Sequence, residues 1–214
     1  MTKAISDLRK EYKLGRLNAD ALSEHPVDLF QTWFNDALEA GLPEPNAMTV
    51  ATVDAAGKPS QRIVLLKDVS RDGFVFYTNL GSRKAKDLKH NKHISLHFPW
   101  YIMERQVRVN GVAKPLSRTE VAKYFLSRPT DSQIGAWASQ QSQPISTREL
   151  LVTQFAQMKE KFAKGQVPLP DFWGGFRVEP EQIEFWQGGE HRLHDRFEYT
   201  KQSDASWTTQ RLMP

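Results

Sequence analysis

The chain has 214 residues, and 29 Lys+Arg against 25 Asp+Glu give it a formal net charge of +4. Its 39% hydrophobic and 25% charged residues exclude both a disordered chain and a membrane protein. The absence of cysteine excludes disulfides, thiolate metal sites and thiol nucleophiles. With no apolar signal core at the N-terminus, we expect a cytoplasmic protein without a membrane anchor. The pI near 9.2 fits a small phosphorylated ligand as well as nucleic acid.

The first part of the chain divides into an arm and a helix. Residues 1–24 are charged and carry Ile5, Leu8 and Tyr12 at helical spacing, which predicts a short helix or an arm that orders on a partner. We therefore expect one domain over residues 25–214. Within it, residues 26–40 have an apolar stripe of period 3.6 that begins at a proline and ends before Gly41, so they predict a helix.

Short β-rich segments follow, at residues 48–53, 61–67, 74–78, 94–98 and 105–112. Turn residues such as Asp72-Gly73 separate them and predict antiparallel pairing. A short helix is expected after Gly81-Ser82, because serine is a favoured N-cap.

The last third of the chain predicts helices and then four more strands. Ser117 with Glu120, and Ser146 with Glu149, match capping boxes, and the second helix is expected to end at Gly165. The expected strands cover residues 176–178, 182–186, 192–199 and 207–212. Strands on both sides of the helices predict a single α+β domain whose terminal strands complete one barrel.

Two candidate anion sites lie in the first half of the chain. In R-I-V-L-L-K, Arg62 and Lys67 differ by an odd number, so an ideal strand directs them to opposite faces; a core strand with polar ends is the alternative. The segment from Tyr77 to Lys84 runs from a strand into a helix N-terminus, where free amides and two cations suit a phosphate. A solvated basic helix face, or a nucleic-acid patch, is the alternative explanation for these cations.

Two further candidates lie in the second half. Tyr124, Arg128 and Ser132 offer one guanidinium and two hydroxyls, although an arginine at a helix end is common for electrostatic reasons alone. On a strand, Arg192, His194 and Arg196 share one face, and three such groups repel one another unless an anion lies among them.

Other classes of site lack their sequence patterns. Dinucleotide-binding, P-loop, nucleophile-elbow and H-E-x-x-H motifs are all absent from the sequence. The H-x-x-H pairs at His90 and His93 and at His191 and His194 lack an obvious third ligand, so we expect no metal.

Four segments together carry a family resemblance: R-I-V-L-L-K, F-Y-T-N-L-G-S-R-K-A, Y-F-L-S-R-P-T-D-S-Q-I-G-A-W and F-W-Q-G-G-E-H-R-L-H-D-R. In this order the chain closely resembles the pyridoxine/pyridoxamine 5′-phosphate oxidases over nearly its whole length. The resemblance implies a split β-barrel homodimer with FMN at the subunit interface. It also implies oxidation of pyridoxine or pyridoxamine 5′-phosphate to pyridoxal 5′-phosphate by O₂, with release of hydrogen peroxide.

The resemblance also implies residue roles. The residues that resemble FMN contacts are Arg62, Ile63, Val64, Leu65, Leu66, Lys67, Tyr77, Thr78, Arg83, Lys84, Gln106, Gln141, Ser142, Trp186 and Arg196. Those that resemble the clamp for the substrate phosphate are Lys67, Tyr124, Arg128 and Ser132. Arg192 and His194 resemble the catalytic pair that holds the pyridine ring, and Arg9 and Tyr12 resemble a lid.

Three other functions remain to be distinguished. A nicotinamide-dependent flavin reductase would keep the flavin site but would not need the clamp. A non-catalytic flavin or pyridoxal phosphate carrier would be yellow without consuming oxygen. A nucleic-acid-binding module would bind DNA with a steep salt dependence.

Overall fold

The computed structural model describes residues 4–8 and 10–214. These residues form five α-helices and nine strands. The helices are α1 (Pro26–Glu39), α2 (Arg83–His90), α3 (Arg118–Ser127), α4 (Thr130–Ala138) and α5 (Arg148–Lys161). The strands are β1 (Ala47–Val53), β2 (Pro59–Leu65), β3 (Asp68–Ser70), β4 (Gly73–Asn79), β5 (His93–Trp100), β6 (Arg105–Pro115), β7 (Trp173–Gln187), β8 (Asp195–Lys201) and β9 (Trp207–Leu212). None of the described helices is long and apolar enough to cross a membrane.

The strands form one antiparallel sheet in the order β2-β1-β5-β6-β7-β4-β3. β7 is its longest member: it pairs with β4 through residues 173–178 and with β8 through residues 182–187. The sheet is not closed. β8 pairs with β7 and with β9, so β8 and β9 extend from β7 outside the strand order given above. The register between β6 and β7 shifts at Asn110 and Gly111, next to Pro180, where a proline without an amide proton is tolerated. The predicted α+β class with an antiparallel split barrel is confirmed.

The main core packs α1 against the sheet. Phe30 of α1 is fully buried, and its ring centroid lies 4.9 Å from those of Phe74 and Phe98. Burying one such side chain contributes about 1.5–3 kcal/mol to folding. A second cluster, centred on Phe125 and Trp173, joins α3, α4 and α5 to the first part of β7.

Several local predictions were wrong. The strands expected at residues 176–178 and 182–186 are both parts of β7, because the sheet continues through the register shift at Pro180. The second capping box is absent, since the N-cap is Thr147, whose side chain accepts a hydrogen bond from the amide of Leu150. β3 and the separate helix α4 were not predicted.

The sequence predicts two alternative states for the N-terminal arm, a short helix or an arm that orders on a partner. Two short 3₁₀ turns occur, at Ile5–Asp7 and Ala19–Ala21, and no α-helix forms in the described part of residues 1–24. The arm is nevertheless attached to the domain, because Leu17 belongs to the main core and is only 2% exposed.

Candidate functional site

A cavity of about 540 Å³ opens beside β4, which is within the usual size range of small-molecule sites. We call it the β4 cavity. The predicted site residues that line it are Ile63, Val64, Leu65, Lys67, Tyr77, Thr78, Lys84, Tyr124, Arg128, Ser132 and Gln141. Flavin and substrate-phosphate candidates therefore share one concave surface.

Lys84 provides a buried positive charge in this cavity. It lies in the first turn of α2, is 7% exposed, and its Nζ donates to Thr78 Oγ1 at 3.1 Å and Gln141 Oε1 at 2.9 Å. Burial, with a smaller contribution from Arg62, lowers the pKa of Lys84 to about 8. Because both hydrogen-bond acceptors are neutral, an anion in the cavity would stabilise the charged lysine.

Arg62 does not line the β4 cavity. Its guanidinium donates to Thr52 Oγ1 and Ser60 Oγ, and Asp87 lies 4.0 Å away. Burial lowers the pKa of Arg62 below its usual value. Lys67, which follows the end of β2, does line the cavity, so the two cations have different surroundings.

The predicted phosphate clamp lies where α3 ends and α4 begins. The Arg128 guanidinium is 4.9 Å from the ring centroid of Trp173, and burial lowers its pKa. Its Nη1 is buried without a hydrogen-bond partner among the described residues. A buried, unpaired guanidinium nitrogen is costly, so this atom indicates a place for an anionic ligand.

Three aromatic rings form one wall of the β4 cavity. Tyr77 stacks on Tyr124 with centroids 3.9 Å apart, and on Trp173 at 5.4 Å. The interplanar angles of 11° and 4° make this a nearly parallel stack. Such a rigid wall fixes the position of the Tyr124 hydroxyl beside Arg128 at little cost in side-chain entropy.

A second cavity, of about 530 Å³, lies between the N-terminal arm and the turn that precedes β8. We call it the arm cavity, and Tyr12 and Arg192 both line it. The Tyr12 ring meets Trp186 edge-on at 5.6 Å and lies 5.6 Å from the His194 ring. Gly188 permits this approach, since a Cβ there would lie 2.8 Å from Tyr12 Cγ.

His194 is held by the backbone. Its Nδ1 accepts a hydrogen bond from the amide of Gly189 at 3.1 Å, so the neutral ring carries its proton on Nε2. Burial, and then the charge of Arg192, lower the pKa of His194. The ring is therefore predominantly neutral at neutral pH, with Nε2–H available to a ligand.

The expected strand over residues 192–199 was wrong in its first three residues. Glu190–Arg192 forms a 3₁₀ turn in which His191 and Arg192 have φ of 54° and 63°, and β8 begins at Asp195. Arg192, His194 and Arg196 therefore do not share a strand face. Gly189 before the turn permits a close return of the backbone, because a Cβ there would clash with the backbone oxygen of Leu193.

A row of predicted flavin contacts crosses the sheet next to His194. Gln106, Trp186 and Arg196 are direct neighbours on β6, β7 and β8. Arg196 Nε donates to Glu184 Oε1 at 2.9 Å, and this bond raises the pKa of the arginine. The 4%-exposed Glu184 also pairs with Arg108.

Some predicted site residues lie outside both cavities. Leu66 is buried in the main core, Arg83 is exposed with Asp54 at 4.0 Å, and Ser142 is exposed with φ of 68°. Arg9 lies outside the described residues. Asn79, which belongs to the predicted segment from Tyr77 to Lys84, also lines the β4 cavity, and so do Ser139 and Trp173, which were not predicted as site residues. The aromatic-glycine run at residues 172–175 was the available signal for Trp173.

The β4 cavity and the arm cavity lie at opposite ends of β7 and share no lining residue. Trp173 and Trp186 are separated by thirteen positions of β7, or about 40 Å of extended strand. Among the described residues, no group of three or more His, Asp or Glu side chains is placed to bind a metal.

Residues 34–162 match the family model described as pyridoxamine 5′-phosphate oxidase, which covers more than half of the chain. This chain belongs to the pyridoxamine 5′-phosphate oxidase family. Residues 173–214 match the C-terminal dimerisation region of pyridoxine 5′-phosphate oxidase. That region contains β7, β8 and β9, and therefore Trp186, Arg192, His194 and Arg196.

Two curated members of this family are similar over nearly the whole chain. A pyridoxine/pyridoxamine 5′-phosphate oxidase of Alteromonas mediterranea is 62% identical over 99% of this chain and 100% of its own length. That of Vibrio parahaemolyticus is 59% identical over 98% and 99%, respectively.

Solved structures agree on the fold. PhzG from Burkholderia lata, solved in complex with tetrahydrophenazine-1-carboxylic acid, superposes with a TM-score of 0.87 and 28% identity over 92% of this chain and 98% of its own. A pyridoxamine 5′-phosphate oxidase-related, FMN binding protein from Nostoc punctiforme has a TM-score of 0.70 over 86% of this chain and 97% of its own. Its 14% identity supports the fold alone.

Proposed function

We propose that this protein is an FMN-dependent oxidase of the vitamin B6 salvage route. It converts pyridoxine or pyridoxamine 5′-phosphate to pyridoxal 5′-phosphate with O₂ as acceptor, and it releases hydrogen peroxide. The amine substrate also consumes one water and releases ammonia. The family match and the full-length relatives support this reaction. The observation that carries the proposal to particular residues is the buried, unpaired Nη1 of Arg128 in the β4 cavity.

The β4 cavity fits the phosphate end of a flavin nucleotide. Lys84 and Thr78 provide a buried cation and a hydroxyl beside the N-terminus of α2, which is a favourable position for a phosphate. Arg62 does not line the cavity, but its charge acts on Lys84 and adds to the positive potential there. The family and the Nostoc relative point to a flavin, and we propose FMN because these groups suit a single terminal phosphate. Bound FMN supplies the two-electron redox chemistry that these side chains lack.

The substrate phosphate is assigned to Lys67, Tyr124, Arg128 and Ser132. It is remote from the carbon that is oxidised, so its binding energy can fix the orientation of the pyridine ring. His194 and Arg192 are proposed to hold that ring. Because Nδ1 of His194 is occupied by Gly189, its Nε2 is the atom that donates to the substrate or exchanges a proton with it.

A homodimer resolves the separation between the two groups of site residues. Within one chain they lie at opposite ends of β7, whereas a two-fold related copy can bring the dimerisation region of one chain to the β4 cavity of the other. We propose that each active site combines the β4 cavity of one subunit with Gln106, Trp186, Arg192, His194 and Arg196 of its partner. We also propose that residues 1–24 form an arm and residues 25–214 form one domain. The proposed location of the protein is cytoplasmic.

Two measurements test the reaction. The absorbance spectrum of the purified protein reports bound flavin, and an oxygen electrode with pyridoxine or pyridoxamine 5′-phosphate reports turnover. We expect a flavin spectrum and oxygen consumption with formation of pyridoxal 5′-phosphate. A yellow protein that consumes no oxygen with either substrate would instead support a carrier, and a requirement for a reduced nicotinamide would support a flavin reductase.

A further inference from the structure

Glu104 is a buried carboxylate that the proposed reaction does not use. It follows the 3₁₀ turn Tyr101–Met103, directly before β6, and its side chain is 1% exposed. Its backbone has φ of 56° and ψ of 35°, in the left-handed region that non-glycine residues seldom adopt. Such a conformation persists when surrounding contacts determine it, so the contacts of Glu104 are informative.

Among the described residues, the hydrogen bonds and the ion pair of the Glu104 side chain all go to the N-terminal arm. Oε2 accepts hydrogen bonds from the backbone amides of Lys13 at 2.7 Å and Leu14 at 2.9 Å. Oε1 pairs with Nζ of Lys10 at 2.8 Å. Burial opposes ionisation of Glu104, but the bonds from Lys10, Leu14 and Lys13 outweigh it and hold its pKa below the usual value. The carboxylate is therefore charged at neutral pH, and charged acceptors make the stronger hydrogen bonds.

These contacts flank Tyr12, because Lys10 precedes it and Lys13 and Leu14 directly follow it. The same turn is tied to the end of β7, because the backbone oxygen of Glu104 accepts from the amide of Gly188 at 2.7 Å. Gly188 in turn leaves space for the Tyr12 ring beside Trp186 and His194. Glu104 thus connects the arm, the glycine turn and the aromatic cluster through one residue.

We propose that Glu104 is a positioning residue that fixes the arm through Lys10, Lys13 and Leu14 and so holds Tyr12 against Trp186 and His194. The carboxylate touches neither of these rings, and it acts through the backbone beside Tyr12. The inference rests on the proposed function only for its effect on turnover. The attachment of the arm itself is a property of the chain alone.

The direct test is hydrogen–deuterium exchange of the peptide covering residues 10–17 in Glu104→Gln. Loss of the charged acceptor weakens the protection of the Lys13 and Leu14 amides, and we expect exchange to accelerate about tenfold or more. Glu179→Gln is the matched control, because Glu179 pairs with Lys114 at 2.7 Å between β6 and β7, outside the arm. Unchanged exchange in Glu104→Gln would overturn the proposal.

Lys10→Met tests the same attachment of the arm without a substitution at the buried position of Glu104. Lys10 is 61% exposed in its side chain, so its loss removes one partner of Glu104 without opening the core. We expect a smaller acceleration in the same peptide, with unchanged thermal unfolding. Exchange equal to that of the wild type in this variant would contradict a charged attachment at Glu104.

Kinetics separate positioning from simple structural support. In Glu104→Gln with normal flavin content, we expect KM for pyridoxine 5′-phosphate to rise severalfold more than kcat falls, since Tyr12 is displaced from the substrate side of the site. Faster exchange with unchanged kinetics would overturn the positioning role. If the wild-type protein fails to oxidise either substrate, the proposed function fails, while the exchange experiment still tests the attachment of the arm.

Discussion

The pKa of Lys84 leads to a quantitative expectation for flavin binding. Burial and Arg62 lower this pKa to about 8 in the protein without ligand. A phosphate beside Nζ favours the charged lysine and raises the pKa. Because the second pKa of a phosphate is about 6, the ligand is mainly a dianion near pH 7 and above. FMN binding should therefore be accompanied by proton uptake at Lys84, and should weaken as pH rises through 8.

The size of the effect follows from the protonated fraction of Lys84. With a pKa of about 8, roughly nine-tenths of the lysines are charged near pH 7 and roughly one-tenth near pH 9. If the bound form stays protonated throughout, the affinity for FMN falls about tenfold over this range, or about 1.4 kcal/mol. The decrease in affinity is smaller if a fraction of Lys84 in the FMN complex is also deprotonated near pH 9.

The assay is a titration of the apoprotein with FMN, followed by flavin fluorescence, near pH 7 and near pH 9. Lys84→Met should bind FMN more weakly near pH 7 and should lose the pH dependence. Lys89→Met, an exposed change on the same helix, should behave as the wild type. Equal wild-type affinities at the two pH values, or a pH dependence that survives in Lys84→Met, would refute the reasoning.

Three further substitutions test separate parts of the site. Arg128→Ala should raise KM for pyridoxine 5′-phosphate about 10- to 100-fold, with a smaller change in kcat, because a charged hydrogen bond is worth about 1.5–3 kcal/mol. An unchanged KM in steady-state kinetics would contradict the proposed phosphate clamp. Arg196→Leu should lower the FMN content or slow flavin reduction in stopped-flow traces, because a guanidinium stabilises the negative charge of reduced flavin. Normal FMN content together with a normal reduction rate would exclude this stabilising role of Arg196. Gly188→Ala should displace Tyr12, because the added Cβ would lie 2.8 Å from Tyr12 Cγ. We expect the free energy of unfolding to fall by about 1–3 kcal/mol. Wild-type stability in chemical denaturation would argue against close packing of Tyr12 on Gly188.

The sequence predicted the regular elements well because their signals are local. The apolar stripe and proline of α1 lie within fourteen residues, and the Gly81-Ser82 cap is adjacent to α2. The joining of two expected strands into β7 depends instead on pairing with β6, which is distant in the chain. Periodicity within a few residues contains no information about such a partner.

The site shows the same limit. The proposal that the segment ending at Lys84 binds phosphate follows from a strand that runs into a helix N-terminus. The proposed clamp follows from the side-chain chemistry of Tyr124, Arg128 and Ser132 and from the family resemblance. The turn at Arg192 was misread, because its left-handed backbone depends on tertiary contacts and not on the identity of the residue. Glu104 belongs to no motif, and Trp173 is marked in the sequence only by the aromatic-glycine run at residues 172–175. Their importance follows from burial and from partners that only the folded chain brings together.

We propose that each active site combines the β4 cavity of one subunit with the dimerisation region of the other, and subunit complementation tests this arrangement. Arg128→Ala and Arg196→Leu proteins are unfolded, mixed and refolded, and oxygen consumption is measured at a pyridoxine 5′-phosphate concentration far below the raised KM of Arg128→Ala, where each variant alone turns over slowly. If the two residues serve one site from different chains, half of the dimers are mixed and each has one intact site, so about a quarter of the wild-type activity should return. If both residues act within one chain, every site in the mixture carries a defect, and the absence of any recovered activity in verified mixed dimers would contradict the account.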